Sequence, residues 1–511
     1  MKDTSSNSKR IAKNTLLLYF RMLFTMAVSL FTSRVVLNTL GIEDFGIYNV
    51  VGGIVAMFGF INNAMATGTQ RFLTFELGNG DFCRLQKIFN MSILIHALIS
   101  LLVVVLAETV GLWFLYNKMV IPTERLNAAF WVYQFSIFST VVMIMSVPYN
   151  ATIIAHEKMS AFAYISVLEV SLKLLAVYIL LLGEFDKLKL YAFLIFIIQL
   201  SIRFIYGFYC KHYFAETRFR FIWDLKLFKE MTFFAGWNLW GNCASIAFTQ
   251  GINLLLNMFF GPVVNAARGI AVQVQNAVAQ FSGNFQTALN PQITKSFAAH
   301  NYTYMHSLIF KSSKFTFFLL LLLSLPVMIE TETLLAIWLK KVPEYSVTFL
   351  RLILCVTIID AMANPLMVSA AATGKVKLYQ SVIGGILLAI LPISYITLKL
   401  GGNPASVFIV HLCMCIIAFT VRLFIIRPMI KLSLSSYFIQ VLLRCIVVAI
   451  IAAILPLSLK YMVHESMYTF IVICITCISS VLCAVYWLGL NKLEQNFLRS
   501  KILSLAAKIK R

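Results

Sequence analysis

Charge is what this chain has least of. Only 12% of its 511 residues are charged, and Asp and Glu together number 20. A water-soluble enzyme carries far more ionisable surface, so that class is excluded. Catalytic signatures are missing too: the chain has no HExxH, no glycine-rich phosphate loop and no nucleophile elbow. The ten cysteines are scattered, mostly inside apolar runs and with no extracellular cluster. They read as small buried hydrophobes rather than a disulfide or metal framework. No enzyme and no cofactor is expected, with Na+ or H+ coupling left open. No cleavable signal peptide is visible either. Lys2, Lys9, Arg10 and Lys13 precede an apolar run from about 14 to 37. That run is too long for a signal h-region and is expected to stay as a first helix.

What is present is hydrophobicity. Apolar residues make up 60% of the chain, and the mean hydropathy is +0.86. Apolar runs of about 20 residues recur along its length, the mark of a polytopic helical membrane protein. The net charge is +22. In a soluble protein it would point to nucleic acid, but the charges sit mainly in short loops. Topology explains them, and no nucleic-acid partner is expected.

Fourteen transmembrane helices are expected. They lie near 14–37, 46–67, 88–112, 127–149, 160–182, 189–209, 232–256, 263–288, 308–329, 347–370, 376–398, 404–426, 437–459 and 467–489. The eighth is the doubtful one, because it carries eight amide and guanidinium side chains, among them Arg268, Gln275, Asn276 and Gln286. Charge decides the matter. With both termini inside, and with basic residues near the span ends counted with the adjoining loops, 27 Lys and Arg fall to the cytoplasmic segments, 8 to the external loops and seven to the spans, out of 42. If the eighth stretch did not cross, 14 later basic residues would lie outside against 4 inside, against the positive-inside rule. The polar stretch crosses, so it must face protein or water rather than lipid.

Two halves echo each other. Gly41 and Gly261 close the first and seventh spans, and Pro148 with Lys158 is matched by Pro365 with Lys375 at the same offset. The parse is an N-terminal lobe over 1–210, a cytoplasmic connector over 211–230, a C-terminal lobe over 231–430, two further helices over 431–490 and a basic amphipathic tail over 491–511. Repeats of this kind point to transporters that alternate access about a central site.

The candidate site residues are the polar groups stranded in the spans. Ionised side chains at mid-membrane cost at least ~2.5–3.5 kcal/mol each unless they reach water or partners. Arg21, Arg34, Lys173, Arg203, Arg268, Arg351 and Arg444 face only two acids, Glu169 and Asp360. Glu169 and Lys173 stand four residues apart and can neutralise each other, as a structural pair or a functional one. Arg21, Arg203 and Arg444, near the cytoplasmic ends, can snorkel. Arg268 leads the functional candidates because its helix is polar all round. Arg34, Arg351 and Arg21 follow, since a guanidinium fork suits phosphate. On the seventh span, Asn238, Asn242, Ser245 and Thr249 form one stripe and Gln250, Asn253 and Asn257 another. Such amides serve interhelical hydrogen bonding or a hydrated cavity. Asp360 is placed to bind a coupling ion or to pair with an arginine of another helix, the latter favoured. His96 and His411 read as core histidines.

The segments LNTLGIEDFGIYNVVGG, NAARGIAVQVQNAVAQFSGNFQTALNPQITKS and AAATGKVKLYQSV resemble the bacterial polysaccharide flippases. These export lipid-linked O-antigen, capsule and other oligosaccharide units, and belong to the multidrug/oligosaccharidyl-lipid/polysaccharide exporter superfamily. The resemblance implies an all-α, MATE-like fold: two six-helix lobes in a V around a central cavity, plus two extra helices. It implies a polyprenyl-pyrophosphate oligosaccharide as cargo, moved across the bacterial cytoplasmic membrane for surface polysaccharide and lipopolysaccharide synthesis. Membrane lipids and other polysaccharide-assembly proteins are the partners it implies. Related peptidoglycan-precursor flippases use arginines on their first, second and eighth helices. Arg34 (or Arg21) and Arg268 fall on the first and eighth, but the second span here has no basic residue. Three rivals stand beside this reading. They are a drug/cation antiporter of the same fold, a polytopic glycosyltransferase or polymerase, and a scaffold without transport activity.

Overall fold

The computed structural model describes residues 2–56, 59–117, 119, 121–180, 185–339, 342–463, 466–492, 494–496 and 499, and its regular elements are all helical. They group into two compact units, one formed by Met1–Asn242 with Thr287–Asn301 and the other by Cys243–Gln286 with Tyr302–Arg511. Unit 1 holds α1 (Lys2–Ala56), α2 (Gly59–Asn79), α3 (Phe82–Leu106), α4 (Leu112–Asn117), α5 (Leu126–Ala155), α6 (Met159–Ile179) and α7 (Lys187–Tyr213). Two long helices, α8 (Leu225–Phe260) and α9 (Pro262–Ala298), belong to both units. The first half of α8 and the last turns of α9 are in unit 1. Unit 2 adds α10 (Tyr302–Ile329), α11 (Thr331–Leu339), α12 (Ser346–Ala372), α13 (Lys377–Lys399), α14 (Pro404–Ile430), α15 (Leu434–Tyr437), α16 (Leu443–Met462) and α17 (Met467–Ala484).

Side-chain caps open several of the helices. Asp81 accepts from the Arg84 amide to open α3, Asp186 from Leu188 and Lys189 to open α7, and Asp224 from Lys226 and Leu227 to open α8. Asn403 caps α14, with Pro404 as the first helical residue. Within unit 1, Tyr133 is fully buried among Ala107, Ala129 and Val132, and its hydroxyl donates to the Ala107 carbonyl over 2.7 Å. Within unit 2, Phe349 and Phe408 stack at 4.3 Å in the main core. Many large apolar side chains instead face outward, Phe208, Phe204 and Ile450 among them. In a bilayer that is the lipid-facing surface.

Among the described residues twelve helical segments are long and apolar enough to cross a membrane. Of the two other expected spans, 46–67 passes through residues 57–58, which lie outside the described residues. The span 263–288 lies within α9, a continuous 37-residue helix. Its amides lower its hydropathy, while its length of about 55 Å exceeds a bilayer core. The expected connector 211–230 contributes its last residues to α8. The expected surface tail over 491–511 lies outside the described residues from 500 onward.

Positive-φ residues among the described residues fall at Gly41, Gly80 and Glu157 in the first half and at Gly261, His300 and Gly374 in the second, where Tyr345, Gly401 and Lys431 have no counterpart. The spacing from Gly41 to Gly80 equals that from Gly261 to His300. Glu157 and Gly374 each immediately precede the lysine of the matched Pro–Lys pairs, Lys158 and Lys375. At Gly41 the break interrupts α1, with φ 81° and ψ 169°, a conformation that only glycine adopts without strain.

Candidate substrate site

In unit 2 the polar faces of α8 and α9 meet at Arg268, which is only 6% exposed. Its Nη1 donates to the Asn253 side-chain oxygen, and its Nη2 donates to the Thr249 carbonyl over 2.9 Å. Thr249 and Asn253 are one turn apart, so a single face of α8 supplies both acceptors. Arg351 and Arg422 have acid partners, Glu332 at 3.5 Å and Asp360 at 3.7 Å. Arg268 meets only neutral acceptors among the described residues. A buried guanidinium without a counter-charge is held at a desolvation cost that an incoming anion can offset.

Asp360, midway along α12, has its side chain 51% exposed beside an Arg422 that is 11% exposed. Its carboxylate also accepts from the Cys415 thiol at 3.3 Å. His411, one turn before Cys415 on α14, is buried, feels the charges of both Asp360 and Arg268, and packs against Phe248 at 5.1 Å. The Gln286 amide donates to the Ala361 carbonyl over 2.8 Å and ties α9 to α12 next to Asp360. Thus α8, α9, α12 and α14 gather one acid, two arginines and a histidine. Gln275 is half-buried and Asn276 exposed farther along α9. Arg351 lies about two and a half turns before Asp360 on α12. There it donates to the Met328 carbonyl at 2.9 Å and stands outside the Arg268 group.

Among the unit 1 candidates, Arg21 lies within electrostatic reach of Glu169, the partner of Lys173. The side chain of Arg34 lies outside the described residues. The Arg21 guanidinium sits 4.6 Å from the Phe162 ring centroid. Lys173 donates to Glu169 over 2.6 Å, and Gln199 donates to the same oxygen at 3.1 Å, so that pair neutralises itself. Asn238 is buried and spends its amide on the Phe234 carbonyl of its own helix at 3.2 Å. Asn242 is half-buried at the limit of unit 1 on α8.

Among the described residues six buried charges escape the sequence reading, Glu76, Glu157, Glu216, Lys314, Glu330 and Arg422. Charge counting gives Arg422 and Lys314 to the loops, yet Lys314 is 3% exposed and donates to Glu494 at 2.7 Å. Both lie within apolar runs, and that is the available signal. Glu157 sits in a short turn, and nothing local marks it as buried.

With this geometry in place, a model of the MatE family matches residues 18–179, within unit 1. Among solved structures, an outward-facing multidrug resistance MATE family transporter of the MOP superfamily aligns with a TM-score of 0.71. Its identity is 11%, over 83% of this chain and 96% of that one. The chain has the MATE fold. The MATE transporter ClbM, in complex with Rb+, aligns at TM-score 0.68 and 16% identity, covering 84% of this chain and 96% of that one. The Vibrio cholerae MATE transporter VcmN in its bent form gives 0.66 and 16%, with 86% and 99% covered. No functionally curated protein matches the chain. At these identities the likeness carries the fold alone, and any role has to be argued from the residues.

Proposed function

We propose that this chain is an exporter working by alternating access, and that it exchanges a drug-like or cationic solute for H+ or Na+. The observation that carries this reading is Asp360. A carboxylate midway along a membrane helix, half exposed and with its arginine 3.7 Å away, is a group that a cation can reach and compete for. The MATE fold, and the description of one matched structure as a multidrug resistance transporter, support it. We place the protein in the bacterial cytoplasmic membrane with both termini inside, on the strength of the loop charges.

A second reading keeps the lipid-linked oligosaccharide as cargo, with membrane lipids and polysaccharide-assembly proteins as its partners, and one observation favours it. Arg268 is a buried cation between two amide-rich helices with only neutral acceptors among the described residues. That is the chemistry a pyrophosphate seeks. An inside-negative potential would drive export of such an anion by about 2.3 kcal/mol per charge per 100 mV. None of the three matched transporters is described as a polysaccharide exporter.

Proteoliposomes decide between the two. Under an imposed proton or Na+ gradient, wild type is expected to move a fluorescent lipophilic cation, and Asp360→Asn to lose gradient-driven uptake. A parallel assay follows flipping of a polyprenyl-pyrophosphate oligosaccharide by wild type and Arg268→Ala, with an uncharged-headgroup control. Flipping that depends on Arg268, with no cation transport, would replace the antiport reading by the second.

A further inference from the structure

Unit 2 contains a cavity of about 380 Å3 at a place where four helix ends converge. Here α10 ends, α11 begins, α16 ends and α17 begins. Because two spanning helices stop and a third starts at this level, the cavity lies at the membrane–water interface. The surrounding exposed aromatics agree: Trp338, Tyr461 and Tyr468 are 45%, 88% and 77% exposed, as expected of an interfacial belt.

The cavity has two kinds of wall. Met467, Phe470 and Ile473 of α17 form an apolar side. The opposite side carries charge of both signs. Glu330 is 4% exposed and is held by the Thr333 hydroxyl at 2.7 Å and by Lys460 at 3.4 Å. Lys460 also donates to the Ile329 carbonyl at 2.6 Å. Among the described residues these contacts use two of the ammonium's three N–H groups. Glu332, also on the cavity wall, has its side chain 60% exposed, with Arg351 at 3.5 Å.

We infer that this cavity is a binding site for a membrane phospholipid with a zwitterionic, primary-ammonium headgroup. The apolar wall suits the upper acyl chain. The remaining N–H of Lys460 suits the phosphate, and the exposed carboxylate of Glu332 suits the ammonium. Among the described residues Glu330 pairs with Lys460 and Glu332 with Arg351, so the charges at the cavity balance and suit a headgroup of zero net charge better than an anionic one or a simple organic cation. The site is independent of the transport cluster around Arg268 and Asp360.

Native mass spectrometry of the full-length protein in detergent, with equal amounts of phosphatidylethanolamine and phosphatidylglycerol, tests this. Wild type is expected to retain phosphatidylethanolamine in preference by about tenfold, the scale of one charge-assisted contact. Glu332→Gln should abolish that preference, and Lys460→Gln should weaken retention of both lipids. Lys460→Gln strands buried Glu330 and can fail to fold; Glu332→Gln, at an exposed position, then decides alone. Equal retention of the two lipids by wild type, or an unchanged preference in Glu332→Gln, overturns the inference.

Discussion

Lys295 donates to Glu157 over 2.8 Å and so joins the last turns of α9 to the turn between α5 and α6. The Glu157 side chain is 1% exposed and also receives Gln292 at 2.5 Å and Arg10 at 3.0 Å. Its carbonyl accepts from Asn14 at 3.1 Å. Glu157 itself is left-handed, with φ 59°, which costs an ordinary residue about 1–2 kcal/mol. One strained residue thus gathers α1, α9 and the turn, and its contacts hold the strain in place. Glu157→Ala leaves two cations without their acid and should destabilise the protein by about 3 kcal/mol, the lower end for a broken buried pair because Arg10 is half exposed. Thermal unfolding in detergent measures it. A loss no larger than that of an exposed control such as Glu124→Ala would contradict the latch.

Close by, Gly78 of α2 packs against α9 with no room for a side chain. A Cβ there would lie 2.7 Å from the Lys295 Cα and 2.8 Å from its carbonyl oxygen. Backbone cannot move aside cheaply, so Gly78→Ala should cost about 1–3 kcal/mol through overpacking. Gly46 is the matched control, since a Cβ there would meet no neighbouring group within 4 Å. Gly46→Ala should leave the unfolding temperature unchanged or raise it slightly. Equal shifts for the two variants would show that the α2–α9 contact does not limit stability.

The architecture is legible because it rests on patterns that a sequence displays. Apolar runs mark the helices, and Gly41 and Gly261 mark real breaks with φ 81° and 78°. The two stripes, one ending at Thr249 and the other through Asn253, foretell polar helix surface, and Arg268 donates to one residue of each. Long-range pairing is not legible. Glu157 meets Lys295 from 138 residues away, and Lys314 meets Glu494 from 180, with no periodicity to announce either. Arg422 escapes for another reason. Charge counting gives a helix-end arginine to the loop, whereas this one turns inward to Asp360.

The Asp360–Arg422 pair should respond unequally to loss of its two members. Arg422 is 9% exposed as a residue, so removing its acid strands a buried guanidinium. Asp360 is 51% exposed and can find other solvation when its arginine is removed. Asp360→Asn should therefore destabilise by roughly 3 kcal/mol, and Arg422→Gln by no more than about 1 kcal/mol on the charge account. A double-mutant cycle followed by thermal unfolding reads both values and their coupling. The reverse order, with Arg422→Gln the more damaging, would mean that packing of the long side chain outweighs its charge.

The connector before α8 carries a titratable clasp outside the membrane segments. His156 and Glu216 approach to 2.5 Å, and the imidazole stacks on Phe214 at 4.1 Å. Burial opposes ionisation of Glu216, but the hydrogen bond from His156 and its own backbone outweigh that, and its carboxyl sits below the ordinary glutamate value of 4.5. A depressed acid contributes stability that is present above its unfolded value and is lost as pH falls through its folded one. Wild type should thus lose stability between about pH 5 and 3, and Glu216→Gln should lose less over that window while starting lower at neutral pH. Unfolding temperatures of the two proteins across that range provide the check. Parallel curves would assign the acid sensitivity to other carboxylates and leave this clasp without a role in it.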